Sequence, residues 1–180
     1  GYQVIVPKVQ CCGRPMLSAG LMDKAKSSAD ANDSGLFQYI DQGAKLVGIE
    51  PSCILSFADD YIDLMDNKGQ RAKAEAISKN TMLVEQFVRF AIEEEGATLD
   101  LDGSRLPDKL MLHGHCHQKA LVGTASAMTV LNAIEGCNVE EIPSGCCGMA
   151  GSFGYEKEHF EISMQIGKQS LFPAVRKAEK

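Results

Sequence analysis

Short apolar runs alternate with longer amphipathic stretches along this chain. The apolar runs are rich in Val, Ile and Leu and have the length of strands; they cover residues 2–6, 44–49, 109–113 and 138–142. In the other stretches apolar residues recur at helical spacing; one such stretch ends at residues 37–40, and the others cover 72–95, 120–134 and 159–178. Strands that alternate with helices predict an α/β fold, with parallel sheets flanked by helices.

Two connecting segments differ in composition from their surroundings. Residues 27–35 are mostly Ser, Ala, Asp and Asn, which predicts either a solvated helix face or a break between two helices. Residues 96–107 are polar and contain glycine, which predicts a loop that separates two lobes.

An internal repeat supports this division into lobes. The triplet Cys11-Cys12-Gly13 recurs without a gap as Cys146-Cys147-Gly148, 135 positions later, and a strand-like run precedes both copies. We therefore expect two related β-α halves, covering about residues 1–100 and 101–180. In this register neither Cys53 nor Cys116 has a counterpart within the chain, so we expect a fragment of a larger domain.

The net charge narrows the classes of partner. The chain carries 18 Lys and Arg against 24 Asp and Glu, a formal charge of −6, which argues against nucleic acid as a partner. No apolar run approaches the ~20 residues needed to cross a bilayer, and no signal peptide opens the sequence. The expected location is the cytoplasm, with peripheral attachment at the inner membrane left open.

Cysteines carry the candidate chemistry. There are seven, an odd number, in a chain large enough to fold without disulfides, and four of them form two adjacent pairs. Such usage favours metal or redox chemistry over a disulfide scaffold. Six of them directly follow predicted strands, where open α/β sheets build ligand sites; they are Cys11, Cys12, Cys53, Cys116, Cys146 and Cys147.

Local sequence around these cysteines suggests how a ligand would be approached. In each Cys-Cys-Gly corner, Gly13 or Gly148 lets the backbone turn sharply and come close to a bound ion or cluster. The alternative is a buried corner in which cysteine serves as a small apolar residue. Cys53 follows Glu50-Pro51-Ser52, where a helix is predicted to begin, and the positive end of that helix favours a thiolate.

The densest group of possible ligands covers residues 113–119, His-Gly-His-Cys-His-Gln-Lys. If this segment is extended, Cys116 points to one side while His115 and His117 share the other. Cys116 is the predicted ligand, and the two histidines are predicted to donate hydrogen bonds or carry protons around it. Outside the site, Cys137 is predicted to lie in the core and His159 on a solvated surface.

Four segments together resemble a known family: CCGRPMLSAGLMDKAK, VGIEPSCILSF, LHGHCHQKALVG and SGCCGMAGSFGYEKEHFEIS. They are similar to the cysteine-rich CCG domain of heterodisulfide reductase catalytic subunits, the glycolate oxidase iron-sulfur subunit, anaerobic glycerol-3-phosphate dehydrogenase and lactate-utilisation proteins. The sequences of these segments most resemble the C-terminal region of bacterial FAD-linked oxidases of the D-lactate and D-2-hydroxyglutarate dehydrogenase type. The resemblance covers nearly the whole chain, residues 1–180, which is thereby identified as a fragment of one such domain.

This resemblance implies a [4Fe–4S] cluster held by cysteine thiolates. The family motif carries over to three cysteines in each copy: Cys11, Cys12 and Cys53 in the first, and Cys116, Cys146 and Cys147 in the second. Cluster ligation normally takes four thiolates. In the first copy Glu50 occupies the place of a further cysteine, so each set of three is incomplete by itself.

The function implied is electron transfer in a flavin-dependent 2-hydroxy-acid dehydrogenase. FAD would sit on a domain outside this chain, since no dinucleotide-binding fingerprint occurs in it. Flavin and ferredoxin-like domains are the expected partners, a quinone or a protein is the expected electron acceptor, and the chain alone is expected to be inactive.

Two other classes of function remain open at this stage. A structural zinc module for folding or docking would use cysteines together with His115 or His117. A thiol-disulfide relay would use the adjacent cysteines directly.

Overall fold

A computed structural model of the protein describes residues 1–99, 103–104, 106–107 and 109–178. The chain divides into two compact units, Gly1–Phe87 and Val88–Lys180. The predicted separating loop, residues 96–107, lies partly outside the described residues.

The first unit is a small parallel sheet surrounded by helices. Two strands pair in parallel, with Leu46 opposite Thr81 and Gly48 opposite Leu83. The elements in chain order are α1 (Arg14–Ser18), α2 (Met22–Asp41), β1 (Leu46–Gly48), α3 (Pro51–Ala58), α4 (Asp60–Leu64), α5 (Lys68–Lys79), β2 (Thr81–Leu83) and the start of α6 (Val84–Glu95).

The second unit repeats the parallel pairing with different helices. Lys109 lies opposite Asn138 and Leu112 opposite Glu141. The elements are β3 (Lys109–Leu112), α7 (Cys116–Leu121), α8 (Ala125–Asn132), β4 (Asn138–Glu141), a 3₁₀ turn (Phe153–Tyr155), α9 (Phe160–Gln169) and α10 (Leu171–Ala178). Parallel strands flanked by helices confirm the predicted α/β class, and three of the four predicted strands are present.

The remaining predicted strand, at residues 2–6, does not form. This segment has no regular structure, and Val4 and Val6 are 81% and 89% exposed. Its composition suits a strand, but a strand also needs a neighbour to pair with its backbone N–H and C=O groups. Tyr2 instead packs its ring against Phe87, with the ring centroids 4.8 Å apart.

Three predicted helices are interrupted. The stretch 72–95 contains β2 between α5 and α6, where the side chain of Gln86 accepts a hydrogen bond from the backbone N–H of Leu83 (2.9 Å). The stretch 120–134 breaks at Gly123, whose φ is +71°. The stretch 159–178 breaks at Ser170, just before the first turn of α10, where Pro173 has no N–H to continue the helix from α9.

Residues 27–35 lie within the continuous helix α2, so no break occurs there. Only part of this segment is solvated, because Ser28, Asn32 and Asp33 are buried. The polar composition concealed a buried face on which hydrogen-bonding groups lie among apolar ones.

The main apolar core belongs to the first unit. It is formed by helices α2 to α5 together with β2, and its residues are Cys12, Ala29, Leu36, Ile40, Ile54, Leu55, Phe57, Tyr61, Met65, Ala74, Ile77 and Leu83. In the described part of the second unit, the buried apolar residues are Ala91, Val139 and Ile142. Within the described residues, no helix has both the length and the apolar character to span a membrane.

Candidate metal centre

The first Cys-Cys-Gly corner leads directly into a helix. Gly13 has φ +84°, as its place in the corner requires, and its carbonyl oxygen accepts hydrogen bonds from the N–H groups of Met16 and Leu17 (2.9 and 3.0 Å). A Cβ atom at Gly13 would lie 3.3 Å from the carbonyl oxygen of Ala25 on α2. Glycine therefore serves both the turn and the close approach to α2.

Two buried polar side chains behind the corner hold its backbone. The amide group of Asn32 accepts from the N–H of Gln10 (2.7 Å) and donates to the carbonyl oxygen of Cys11 (3.3 Å) and to the hydroxyl of Tyr61 (3.0 Å). That hydroxyl in turn donates to the carbonyl oxygen of Cys12 (3.0 Å). Neither residue is predicted from the sequence, because Asn32 lies in a segment of surface composition and Tyr61 is 49 residues from Cys12.

The same corner brings Cys12 against Cys53. The thiol of Cys12 is buried (6% exposed), and the exposed thiol of Cys53, in the first turn of α3, lies close enough to affect its pKa. Burial raises the pKa of Cys12 to about 12, and the nearby thiols of Cys53 and Cys11 add to the effect, while the backbone N–H of Arg14 opposes it. Cys12 is therefore a neutral thiol unless a cation compensates its charge.

Helix α3 begins as predicted, with Pro51 at its first position. Glu50 is the N-cap, and its carboxylate accepts a hydrogen bond from the N–H of Ser52 (3.1 Å). At the place where the related motif has a cysteine, this chain therefore has a side chain that caps the helix carrying Cys53.

The second corner is also shaped by glycine. Gly148 has φ +99°, and a Cβ atom there would lie 2.3 Å from the carbonyl oxygen of Ser163 on α9. Its N–H donates to the sulfur of Cys146 (3.3 Å). A backbone N–H aimed at sulfur stabilises negative charge on that atom. Both glycines have the positive φ expected for the turns, while their approach to a bound ion or cluster stays a prediction.

The histidine-rich segment is arranged differently from the prediction. Residues 116–121 are helical, so Cys116 starts α7 and the expected alternation of an extended strand does not apply. His115 is the N-cap of this helix, and its Nδ1 accepts from the N–H of His117 (3.2 Å). A helix forms here because a capping side chain satisfies one of its free N–H groups. Roles for His115 and His117 beside a metal stay predictions.

His113 ties the end of β3 to the loop after β4. Its Nδ1 lies 2.7 Å from the hydroxyl of Ser144, two residues before Cys146. Burial lowers the pKa of His113, and the charges of Lys119 and His115 lower it further. The carboxyl ends of the two parallel strands therefore meet, as expected for the cysteines that follow them.

Two predictions outside the site need correction. Cys137 is half-buried and not part of the core, because β4 begins only at Asn138 and its buried residue is Val139. His159 is not simply solvated: its ring stacks on Phe153 with centroids 4.0 Å apart, and its Nδ1 lies 2.8 Å from a carboxylate oxygen of Glu156.

The donor chemistry of both corners fits an iron-sulfur cluster. Each unit contains three of the predicted thiols, glycines allow close approach of the backbone, and an N–H points at Cys146. Cys11 and Cys12 differ from the prediction in that they follow an irregular segment and not a strand. The thiols of Cys12 and Cys53 lie close together. Across residues 1–99, 103–104, 106–107 and 109–178, however, no three Cys, His, Asp or Glu side chains are arranged to hold an ion as they stand.

In the second unit, Cys116 and the Cys146-Cys147-Gly148 corner both follow parallel strands of an α/β fold. Residues 111–175 match the family model of the cysteine-rich domain CCG. This part of the chain is similar to CCG domains, which confirms the predicted resemblance. No solved structure matches the chain.

The chain is similar to three kinds of curated protein. It is 30% identical to one subunit of the anaerobic glycerol-3-phosphate dehydrogenase of Escherichia coli, over 91% of this chain and 39% of that subunit. It is 26% identical to D-2-hydroxyglutarate dehydrogenase of Pantoea ananatis over 98% of this chain and 16% of the relative. It is 22% identical to lactate utilization protein A 1 of Bacillus anthracis over 91% of this chain and 66% of the relative. The chain thus spans less than half of the first two.

Proposed function

We propose that this chain is the iron-sulfur electron-transfer module of a flavin-dependent 2-hydroxy-acid dehydrogenase. The proximity of the Cys12 and Cys53 thiols carries the proposal, because it brings a Cys-Cys-Gly corner and the next predicted ligand together across 41 positions of sequence. When bound, a [4Fe–4S] cluster stores and releases single electrons. Cys11, Cys12 and Cys53 would ligate in the first unit, and Cys116, Cys146 and Cys147 in the second.

The chain itself supplies ligands and a controlled environment. Asn32 and Tyr61 fix the backbone of the first corner and exclude water behind it, since they are 2% and 0% exposed. In the second corner the N–H of Gly148 supports negative charge on the sulfur of Cys146. Such hydrogen bonds to sulfur are among the features that set a cluster's reduction potential.

The substrate class is proposed from the relatives. Two of them are named as dehydrogenases, one for glycerol-3-phosphate and one for D-2-hydroxyglutarate. A hydride from the substrate would reach FAD on a separate domain, and electrons would then pass singly, by way of a ferredoxin-like domain and this one, to a quinone or protein acceptor. By itself the chain would not oxidise a hydroxy acid.

Metal analysis after anaerobic purification tests this function. We expect iron and acid-labile sulfide in comparable amounts, and loss of both in Cys12→Ser and in Cys146→Ser. Cys137→Ser is the matched control, because Cys137 lies outside both corners, and its iron content should equal that of the parent protein.

The competing functions predict different results. Zinc without sulfide would replace the proposal by a structural zinc module. A protein free of metal, in which Cys12 and Cys53 form a reversible disulfide, would replace it by a thiol-disulfide relay.

A further inference from the structure

Lys119 binds the loop that leads into the second Cys-Cys-Gly corner. Its Nζ donates hydrogen bonds to the carbonyl oxygens of Ser144 and of Gly145, the latter at 2.8 Å. We propose that Lys119 is the positioning residue of this corner: it fixes the two residues before Cys146 and keeps a positive charge beside the corner's thiolates. The inference rests on the proposed function, because it concerns the same cysteines.

The position of Lys119 joins two predicted ligands. Lys119 lies on α7, the short helix that begins with Cys116. Strands β3 and β4 end side by side, with the N–H of Ile142 donating to the carbonyl oxygen of Leu112 (2.8 Å). Lys119 ties the helix of Cys116 to the loop before Cys146.

The surroundings leave room for this lysine. A Cβ atom at the buried Gly114 would lie 3.2 Å from Cγ and 3.3 Å from Cδ of Lys119. The absence of a side chain at Gly114 therefore makes space for the lysine stem. Hydrogen bonds from an ammonium group are stronger than those between neutral groups, so the two carbonyl oxygens are held firmly.

The charge of Lys119 remains available to the corner. Its hydrogen-bond acceptors are neutral carbonyl oxygens, and in the described part of the chain no carboxylate forms an ion pair with it. The first corner differs. There Arg14 pairs with Asp60 at 3.2 Å, and the backbone is held by the neutral side chains of Asn32 and Tyr61. Among the described residues, the positive charge beside the second corner is therefore not paired with a carboxylate, whereas the arginine beside the first corner is.

Hydrogen exchange of the metal-free protein tests the positioning. In Lys119→Met we expect the amides of residues 144–148 to exchange about tenfold faster, because two charge-assisted hydrogen bonds are lost. Lys119→Arg retains a charged donor and should restore most of the protection. Lys168→Met is the control, since it removes an exposed positive charge from α9 of the same unit and should leave these amides unchanged. Equal exchange in Lys119→Met and the parent protein would overturn the positioning role.

A redox titration tests the charge, which a purely structural role would not move. With iron and sulfide reconstituted anaerobically and the midpoint followed by electron paramagnetic resonance, Lys119→Met should shift to a more negative potential. Lys119→Arg should return it toward the parent value, and Lys168→Met should not change it. An unchanged potential in Lys119→Met, in protein that holds iron, refutes the charge effect. Absence of iron from all four proteins would instead overturn the proposed function and the charge effect with it, while the exchange rates still decide the positioning.

Discussion

The hydroxyl of Tyr61 joins two parts of the first corner at a fully buried position. It accepts a hydrogen bond from Asn32 and donates one to the carbonyl oxygen of Cys12. Tyr61→Phe keeps the ring but leaves both partners without this bond, and a buried polar group left unpaired costs about 1–3 kcal/mol. We expect a loss of that size in the free energy of unfolding, measured by urea titration.

Tyr39→Phe provides the comparison for this variant, because Tyr39 lies half-buried on α2, away from the corner. Tyr39→Phe should lower the free energy of unfolding only slightly. In Tyr61→Phe the amides of residues 10–13 should also lose protection against exchange, and unchanged protection there would refute the bracing role of Tyr61.

Asp33 makes the stability of the protein depend on pH. It is 4% exposed, and neither carboxylate oxygen has a hydrogen-bond partner among the described residues. Burial raises its pKa from 3.8 to about 7; the charge of Asp30 raises it further, and Lys73 on α5 lowers it. Between about pH 4 and pH 7 the folded protein therefore keeps a proton that the unfolded chain has released.

Raising the pH through that window favours the unfolded state. We expect the free energy of unfolding to fall as the pH rises from about 4 to 7 and to level off above the folded pKa. Asp33→Asn cannot ionise and should lack this part of the slope in urea titrations at several pH values. Asp41→Asn removes an exposed carboxylate from the same helix and should keep it. A parent slope that survives in Asp33→Asn would show that other groups cause it.

At the scale of elements, Gly148 lets the second corner pack against α9. Gly148→Ala places a methyl group 2.3 Å from the carbonyl oxygen of Ser163 and also strains a positive φ. Gly151→Ala is a matched variant, with φ +68° but no atom within 4 Å of the new Cβ. We expect Gly151→Ala to cost about 1–2 kcal/mol from backbone strain, and Gly148→Ala about 1–3 kcal/mol more from overpacking. If urea titrations show equal losses in the free energy of unfolding for the two variants, α9 moves away from the new methyl group at no cost.

Prediction of the elements succeeded where local signals dominate. Pro51 and the capping Glu50 mark the start of α3, and the apolar runs mark β1, β3 and β4. It failed for β2, which lies inside a stretch of helical periodicity. A strand of three residues is stabilised by its neighbour β1, and periodicity along the chain carries no information about such a neighbour.

At the scale of the whole molecule, the two units differ in how much apolar surface they bury. The large core cluster lies entirely within the first unit. Because burial of apolar side chains is the main source of stability, we expect the second unit to open at a lower free energy than the first. Hydrogen exchange measured at increasing urea should show β3, β4 and α9 losing protection before α2, α3 and α5. Simultaneous loss in both units would contradict this expectation.

The order of residues alone was enough to establish the α/β class, the two glycine corners, the helix start beside Cys53 and the resemblance to CCG domains. These features depend on local periodicity, on backbone conformations open to glycine and proline, and on motifs that can be read in sequence. Only the tertiary structure decided that residues 2–6 form no strand, that Asp33 is buried, and that Asn32 and Tyr61 brace the first corner while Lys119 holds the loop before the second. Those outcomes depend on which distant segments pack together, and a side chain's burial and hydrogen-bond partners are determined by that packing.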